Sequence, residues 1–273
     1  MRTSGLCNFG KLNYYLGRRA YLEKRNSRYP TIDFCRNPGA ICDFIDPVGV
    51  AYVELKWIVP LFEWIDRVQS YVNSDSKWEY KAQLKLFVDG GFKDWQFIDA
   101  VSSVMTRGCD EYYCSTQTIH MLEERRKNFQ VLITDVFNLG SSNAYPVTSP
   151  QPRYDYDHFE RWLHSRRSRI EGSVFVSQNR AVNGNPYFSQ SYKFSSFISS
   201  LRVTAKYGVS DNKFFFIGDV LRGKRGFTAG LVNLAAFFAN VMVESIRDDS
   251  CDEVHWEMDA STGRYAIRYA ILL

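Results

Sequence analysis

Residues 230–251 constrain the fold of this chain most, because they form a long apolar helix that contains a single glutamate, Glu244. Their apolar side chains recur at spacings of three and four, as on the buried face of an amphipathic helix. That face consists of Leu231, Leu234, Ala235, Phe238, Val241, Met242 and Ser245. The sequence therefore predicts a core helix against which the rest of the chain packs.

A stripe of polar residues is predicted on the opposite side of this helix. At about 100° per residue, four polar side chains fall within roughly 60° of one another there. They are Asn233, Asn240, Glu244 and Arg247. If the stripe lines a cleft, its apolar neighbours raise the pKa of Glu244 and suit it to act as a general acid. If the stripe faces water, Glu244 and Arg247 form an exposed i,i+3 ion pair worth about a few tenths of a kcal/mol.

Composition predicts a globular protein of one or two domains. The chain has 273 residues, of which 45% are hydrophobic and 16% aromatic, enough to bury a substantial core. Its net charge of +4, from 34 basic and 30 acidic residues, does not favour nucleic acid as a partner. A neutral or weakly acidic ligand fits better. We find no run of eighteen apolar residues that would predict a membrane span, and no signal peptide at the start of the sequence.

Six cysteines are spaced as in a disulfide framework rather than as in a metal site. Cys35 lies close to Cys42 in sequence and Cys109 close to Cys114, while the other two cysteines lie near the two ends of the chain. No spacing is CxxC and no cysteine has a histidine at zinc-finger spacing, so no metal is expected. Disulfides indicate an oxidising compartment. The missing signal peptide then suggests that this sequence does not represent the start of the protein.

The first half of the chain is predicted to be all-α. Apolar residues recur at helical spacing in five stretches, and the second of them is expected to bend at Pro60 and to bury Trp57 and Trp64. The stretches are residues 12–22, 50–72, 78–91, 94–108 and 118–140.

The middle of the chain is predicted to be a polar connector over residues 138–191. Its prolines stand among Ser, Asn, Tyr and Arg, and it carries one predicted helix over residues 156–167 and a short strand that starts at Ser173. Helical periodicity returns in residues 192–208. No nucleotide-binding motif and no Ser/His/Asp arrangement is recognised, so no cofactor is expected.

Three segments carry a resemblance to a known family. The first is the helix pair YKFSSFISSLRVTAKYG, residues 192–208, and NLAAFFANVMVESI, residues 233–246. The second is LNYYLGRRA followed by a cysteine loop with Asn37 and Pro38, and the third is FIDAVSSVMTRGC followed by EERRKNF. Together they resemble the catalytic domain of glycoside hydrolase family 19, the plant-type chitinases. The resemblance implies a mainly α, lysozyme-like domain in a permuted or incomplete form.

The two halves of the family's domain stand in reversed order here. Residues 1–137 resemble its carboxy-terminal half and residues 192–273 its amino-terminal half, joined by the connector at residues 138–191. Either the domain is circularly permuted, since domain termini often lie close together, or the chain carries the tail of one domain and the head of the next. A disulfide between Cys7 and Cys251 would favour the permuted domain.

The resemblance implies a secreted, inverting glycosidase that hydrolyses β-1,4 bonds in chitin or a related N-acetylglucosamine polysaccharide. Inversion uses two carboxyl groups roughly 6.5 to 9.5 Å apart, one that protonates the leaving oxygen and one that activates water. Glu244 matches the position of the acid. Glu253 is the predicted base, with Glu257 as a nearby candidate.

Asn13, Tyr14 and Asn240 are the predicted substrate contacts. Asn13 and Tyr14 match an Asn-Tyr segment of the family that contacts sugar, where an amide can donate to and accept from acetamido and hydroxyl groups. Trp78 and Trp95 are candidates for stacking on sugar rings. The alternative function is a chitinase-like protein that binds such polymers without cutting them, because the base is not identified by a family motif. The sequence predicts no oligomeric state.

Overall fold

The computed structural model describes residues 6–110, 114, 119–140, 156–182, 185–209, 214–217, 223–249, 253–258 and 265–270. In this part of the chain the fold is mainly α, as predicted, with eleven α-helices and six short strands. The strands form three separate antiparallel pairs.

Seven helices and one small strand pair come from the first half of the chain. The helices are α1 (Leu6–Tyr15), α2 (Arg18–Leu22), α3 (Ala40–Asp43), α4 (Leu55–Glu63), α5 (Tyr80–Asp89), α6 (Gln96–Arg107) and α7 (Leu122–Val131). The strands β1 (Val72–Asn73) and β2 (Trp78–Glu79) pair just before α5. A π-helical turn continues α4 over Trp64–Val68, and another continues α7 over Leu132–Val136.

Four helices and two hairpins follow. The elements are α8 (Tyr156–Ser165), α9 (Arg167–Val174), β3 (Val176–Val182), β4 (Asn185–Phe188), α10 (Phe194–Tyr207), α11 (Gly223–Glu244), β5 (Glu253–Met258) and β6 (Tyr265–Ala270). A short 3-10 turn, Ile246–Asp248, lies between α11 and β5. Antiparallel pairing joins β3 to β4 and β5 to β6.

The predicted helix of the connector is confirmed as α8. The predicted strand begins at Val176 and not at Ser173, because α9, which was not predicted, runs to Val174. The strand β4 was not predicted either. The second predicted helix begins at Leu55 and not at residue 50, because a short turn and bridge precede it. It runs through Pro60 before it widens into the π-helical turn at Trp64. Widening of this kind shifts the hydrogen-bond pattern by one residue and turns later side chains to new directions.

The helix α11 is buried on all sides, which the prediction of a single buried face did not anticipate. Residues 231–241 are all completely buried, including the two asparagines of the predicted polar stripe. By length and apolar composition Arg225–Glu244 could cross a membrane, and it is the one such helix in the described residues, but 94% of its apolar window is buried inside the protein. A helix that is apolar around most of its circumference suits the centre of a large core.

Aromatic rings from both halves of the chain pack around α11. The ring of Trp57 in α4 meets Phe175, Tyr192 and Phe197 edge-on, at centroid distances of 5.2 to 5.5 Å. Edge-on pairs of this kind add about 0.5–1.5 kcal/mol each beyond the area that they bury. The predicted burial of Trp57 and Trp64 is confirmed, since both are 0% exposed.

The cysteines pair differently from the prediction at one position. Cys109 and Cys114 form a disulfide, with their Cα atoms 5.9 Å apart. Cys35 is an exposed free thiol and Cys42 is disulfide-bonded, so the predicted pairing of Cys35 with Cys42 is wrong. A tight turn closed by hydrogen bonds to Asp33 directs the Cys35 sulfur towards α1 instead. The last cysteine, at residue 251, lies outside the described residues.

Candidate functional site

Glu244 is the last residue of α11 and is followed by the buried Ser245 and Ile246. Its side chain retains 17% of its exposure, while the guanidinium of Arg125 that donates to it is completely buried. Arg125 belongs to α7, which packs against α11. The carboxylate therefore lies at the edge of the core, where the buried guanidinium of Arg125 holds it.

The guanidinium of Arg125 is itself held in place by two other groups. Its Nε donates to the backbone oxygen of His120 at 3.1 Å, and its Nη1 donates to Oδ1 of Asn240 at 2.6 Å. Asn240 in turn donates to the backbone oxygen of Ala236 at 2.9 Å. Three directions of the rigid guanidinium are thus occupied, which is how arginine orients a carboxylate.

The pKa of Glu244 is lowered, so the prediction of a raised pKa is wrong. Burial by itself raises the pKa of this carboxyl, but the positive charge around it, including the guanidinium of Arg125, outweighs burial. The sequence pattern indicated the apolar residues around Glu244 but not the guanidinium of Arg125 that contacts it. Near neutral pH Glu244 is therefore a carboxylate that accepts hydrogen bonds.

Arg247 pairs with Glu124 and not with Glu244, so the i,i+3 pair is wrong as well. Its Nη1 lies 2.9 Å from an Oε2 oxygen of Glu124. The 3-10 turn after α11 redirects Arg247 towards α7. As a result, Glu124 and Arg125, two consecutive residues of α7, form ion pairs with Arg247 in the turn after α11 and with Glu244 at the end of α11.

The run EERR at residues 123–126 is the feature that sequence reasoning noticed without assigning it a role. Arg126 forms a bidentate pair with Asp99 of α6, at 2.7 and 2.6 Å, and also contacts Glu123. Glu124 and Arg125 serve α11 as described above. A sequence signal for Arg125 does exist. It is the arginine of this charged run whose position falls on the side of the helix that faces the core.

The buried asparagines of α11 do not line a cleft. Asn240 is 0% exposed and bound to Arg125 and Ala236, which leaves no surface for the sugar contact predicted for it. Asn233 is likewise 0% exposed. Both amides stabilise the core.

The predicted contacts Asn13 and Tyr14 lie next to each other at the end of α1 but differ in exposure. Asn13 is 6% exposed and its Nδ2 donates to Oδ1 of Asp33 at 2.9 Å. Tyr14 is 37% exposed, and the guanidinium of Arg25 lies 3.6 Å from its ring centroid. Tyr14 is therefore the one of the two that offers a surface to a ligand.

The candidate base Glu253 opens β5, where it stands opposite Ala270 of β6 in the hairpin register. Glu257 lies on the same strand, opposite Ala266. Only the backbone of this hairpin is described. Both glutamates occupy register positions of the same parity along the strand.

Acidification is expected to destabilise the protein through two carboxylates with lowered pKa values. Arg202 lowers the pKa of Glu160, and the positive charge around Glu244 lowers that of Glu244, both from an ordinary value of 4.5. A lowered pKa in the folded state contributes stability above the unfolded value and loses it as the pH falls through the folded value. We expect the free energy of unfolding in urea to decline below about pH 4.5.

Glu244→Gln should make that decline shallower, because glutamine does not titrate and only the contribution of Glu160 then remains. An acid decline of the same depth in wild type and in Glu244→Gln would show that Glu244 carries no such linkage.

Within the described ranges, no three His, Cys, Asp or Glu side chains come close enough to hold a metal ion. Comparison with protein-family models, with curated proteins and with solved structures found no match for this chain.

Proposed function

We propose that this protein is a chitinase-type glycoside hydrolase that acts on β-1,4-linked N-acetylglucosamine polymers, with Glu244 at the scissile bond. The observation that carries the proposal is the Arg125–Glu244 unit: a partly exposed carboxylate held in one orientation by a fully buried guanidinium. The side chain of this carboxylate is 17% exposed, so part of it reaches the surface, where a substrate can meet it.

Inverting hydrolysis requires one carboxyl group that is protonated and a second one that is ionised. As general acid, Glu244 would donate its proton to the leaving glycosidic oxygen, and Glu253 would accept a proton from the attacking water. The lowered pKa means that Glu244 carries this proton only in acid. The proposal therefore implies a hydrolase whose rate falls as the pH rises above the pKa of Glu244.

The lowered pKa also favours a second function, a protein that binds these polymers without cutting them. A carboxylate that stays ionised at neutral pH accepts hydrogen bonds from sugar hydroxyl groups but does not protonate a leaving group. In that case Arg125 fixes a binding group. The two functions share the ligand and differ in turnover.

Glu244→Gln is expected to reduce hydrolysis of the N-acetylglucosamine hexamer by about 100-fold or more, the usual contribution of general acid catalysis. Wild-type turnover should rise from pH 7 towards pH 4. The measurement is the release of reducing ends, with proton NMR to show that the α-anomer forms first. The matched control is Glu79→Gln, an exposed carboxylate on β2.

Three outcomes separate the functions. Turnover that is lost in Glu244→Gln and retained in Glu79→Gln supports the hydrolase. Hexamer binding without products at any pH supports the binding protein. A turnover optimum near neutral pH, unchanged in Glu244→Gln, would exclude Glu244 as the acid.

A further inference from the structure

Two cavities flank the short segment 93–97, where the chain enters α6. The larger one, of about 640 Å³, lies between α5 and the start of α6. The smaller one, of about 300 Å³, lies between the start of α6 and α7. Volumes of this size are typical of sites for small molecules and for single units of a polymer.

The larger cavity combines an aromatic floor with polar walls. Trp78 is only 8% exposed and presents a small part of its indole, beside the stacked rings of Phe87 and Phe97, which lie 4.9 Å apart. The side chains of Gln83 and Gln96 rise around this floor. An apolar base with a few polar groups at its edge is the usual composition of a ligand site.

The polar groups of the larger cavity are available to a ligand. Among the residues that the structure describes, none hydrogen-bonds the side-chain amides of Gln83 and Gln96 or the ammonium of Lys93. Asp94 uses Oδ1 to accept from the backbone nitrogen of Gln96 at 2.9 Å. Each amide can both donate and accept, and so can the acetamido group of a sugar.

The smaller cavity repeats this combination. The half-buried indole of Trp95 forms one wall and is braced edge-on by Phe129, with the centroids 6.3 Å apart. Gln130 and Lys127 stand beside it, and in the described part of the chain neither side chain has a hydrogen-bond partner. Because Asp94 and Gln96 line one cavity and Trp95 the other, the two sites are separated by a single residue.

We propose that these two cavities form one groove that binds a chain of N-acetylglucosamine units, separately from the carboxylate of Glu244. The choice of ligand rests on the proposed function. It also follows from the groove itself, since the half-buried indole of Trp95 suits the apolar face of a sugar ring and both cavities carry glutamine amides that match acetamido groups.

The charges of the groove favour a neutral polymer over a polyanion. Arg126 is already paired with Asp99 and Glu123, and the other charged residues of the two cavities are the cations Lys93 and Lys127 and the carboxylate Asp94, so three cations stand near three carboxylates. Positive charge is therefore balanced locally, and a polyanion would gain little from it. None of the lining residues belongs to the Arg125–Glu244 unit.

The test is calorimetric titration of the full chain with the N-acetylglucosamine hexamer, run alongside the reducing-end assay. Trp95→Ala is expected to weaken binding about tenfold, because a stacked indole is lost. Gln83→Ala and Gln96→Ala should each weaken it severalfold, and alanine is favourable in both helices, so these two variants keep the fold if Trp95→Ala does not. Phe188→Ala, at an aromatic residue that is 56% exposed on β4, is the matched control and should bind as wild type does.

The outcomes separate this groove from the hydrolase. If the groove variants bind more weakly and the wild-type protein does not hydrolyse the hexamer, the groove is supported and the hydrolase is excluded. Hydrolysis with unchanged binding in all three groove variants overturns the groove and keeps the hydrolase. A wild-type protein that does not bind the hexamer, or that binds the glucose hexamer lacking acetamido groups equally well, also overturns the groove as proposed.

Discussion

Arg125→Met is expected to lower the free energy of unfolding by about 3–5 kcal/mol, the usual cost of removing one partner from a buried ion pair. Methionine fills much of the volume of the arginine stem but cannot donate to Glu244, Asn240 or the backbone oxygen of His120. These three acceptors would lose a donor in a place where water has little access. Urea denaturation at pH 7 measures the change.

The matched control is Arg167→Met, which removes an exposed i,i+4 pair with Glu171 on α9. Surface pairs of this kind contribute about 0–1 kcal/mol. If Arg125→Met costs no more than Arg167→Met, Arg125 does not hold α7 against α11. Loss of oligomer hydrolysis in Arg125→Met with retained stability would assign Arg125 a positioning role for Glu244 alone.

The sequence predicted the helical fold class and the central place of α11, because both follow from local periodicity and apolar content. It placed Glu244 within a helix over residues 230–251, whereas α11 ends at Glu244, and it did not predict the electrostatics of this residue. The partner Arg125 is 119 residues away in sequence. A pKa depends on charges brought close by tertiary packing, and neither spacing nor composition records which charges those are.

The polar stripe on α11 shows a second limit of sequence reasoning. A helical projection places Asn233 and Asn240 on one side, but it does not say whether that side meets water or another helix. Both amides are buried against residues that precede them by more than 100 positions, Trp64 and Arg125. Tertiary packing also decides the surroundings of Cys35, whose sulfur lies next to Asn13 and not next to Cys42.

Asn233 is the centre of a hydrogen-bonded network inside the core. Its Oδ1 accepts from Nε1 of Trp64 at 2.8 Å and from the hydroxyl of Tyr80 at 2.6 Å. Its Nδ2 donates to Oε1 of Gln69 at 3.1 Å and to the backbone oxygen of Phe216 at 3.2 Å. All four hydrogen-bonding positions of the amide are used, so the network specifies how α11 packs against α5 and the π-helical turn that follows α4.

Asn233→Leu is expected to lower the free energy of unfolding by about 3 kcal/mol or more. Leucine has a similar volume, but it leaves the indole N–H of Trp64 and the hydroxyl of Tyr80 without an acceptor, and each unpaired donor costs about 1–3 kcal/mol in a buried place. Burial raises the pKa of Tyr80 well above its ordinary value, so its hydroxyl remains a donor without an acceptor across the accessible pH range. Urea denaturation again measures the loss.

Tyr80→Phe tests the same network, because its effect on the free energy of unfolding should have opposite signs with and without Asn233. In the wild-type background it removes one of two donors to Asn233 and should cost about 1 kcal/mol. In the Asn233→Leu background it removes a hydroxyl that has lost its acceptor, so it should raise the free energy of unfolding. Tyr52→Phe, whose hydroxyl contacts Asp46 outside this network, should have the same effect in both backgrounds. Equal costs of Tyr80→Phe in the two backgrounds would mean that Tyr80 and Asn233 are not coupled, and that the packing of the surrounding rings alone positions α11.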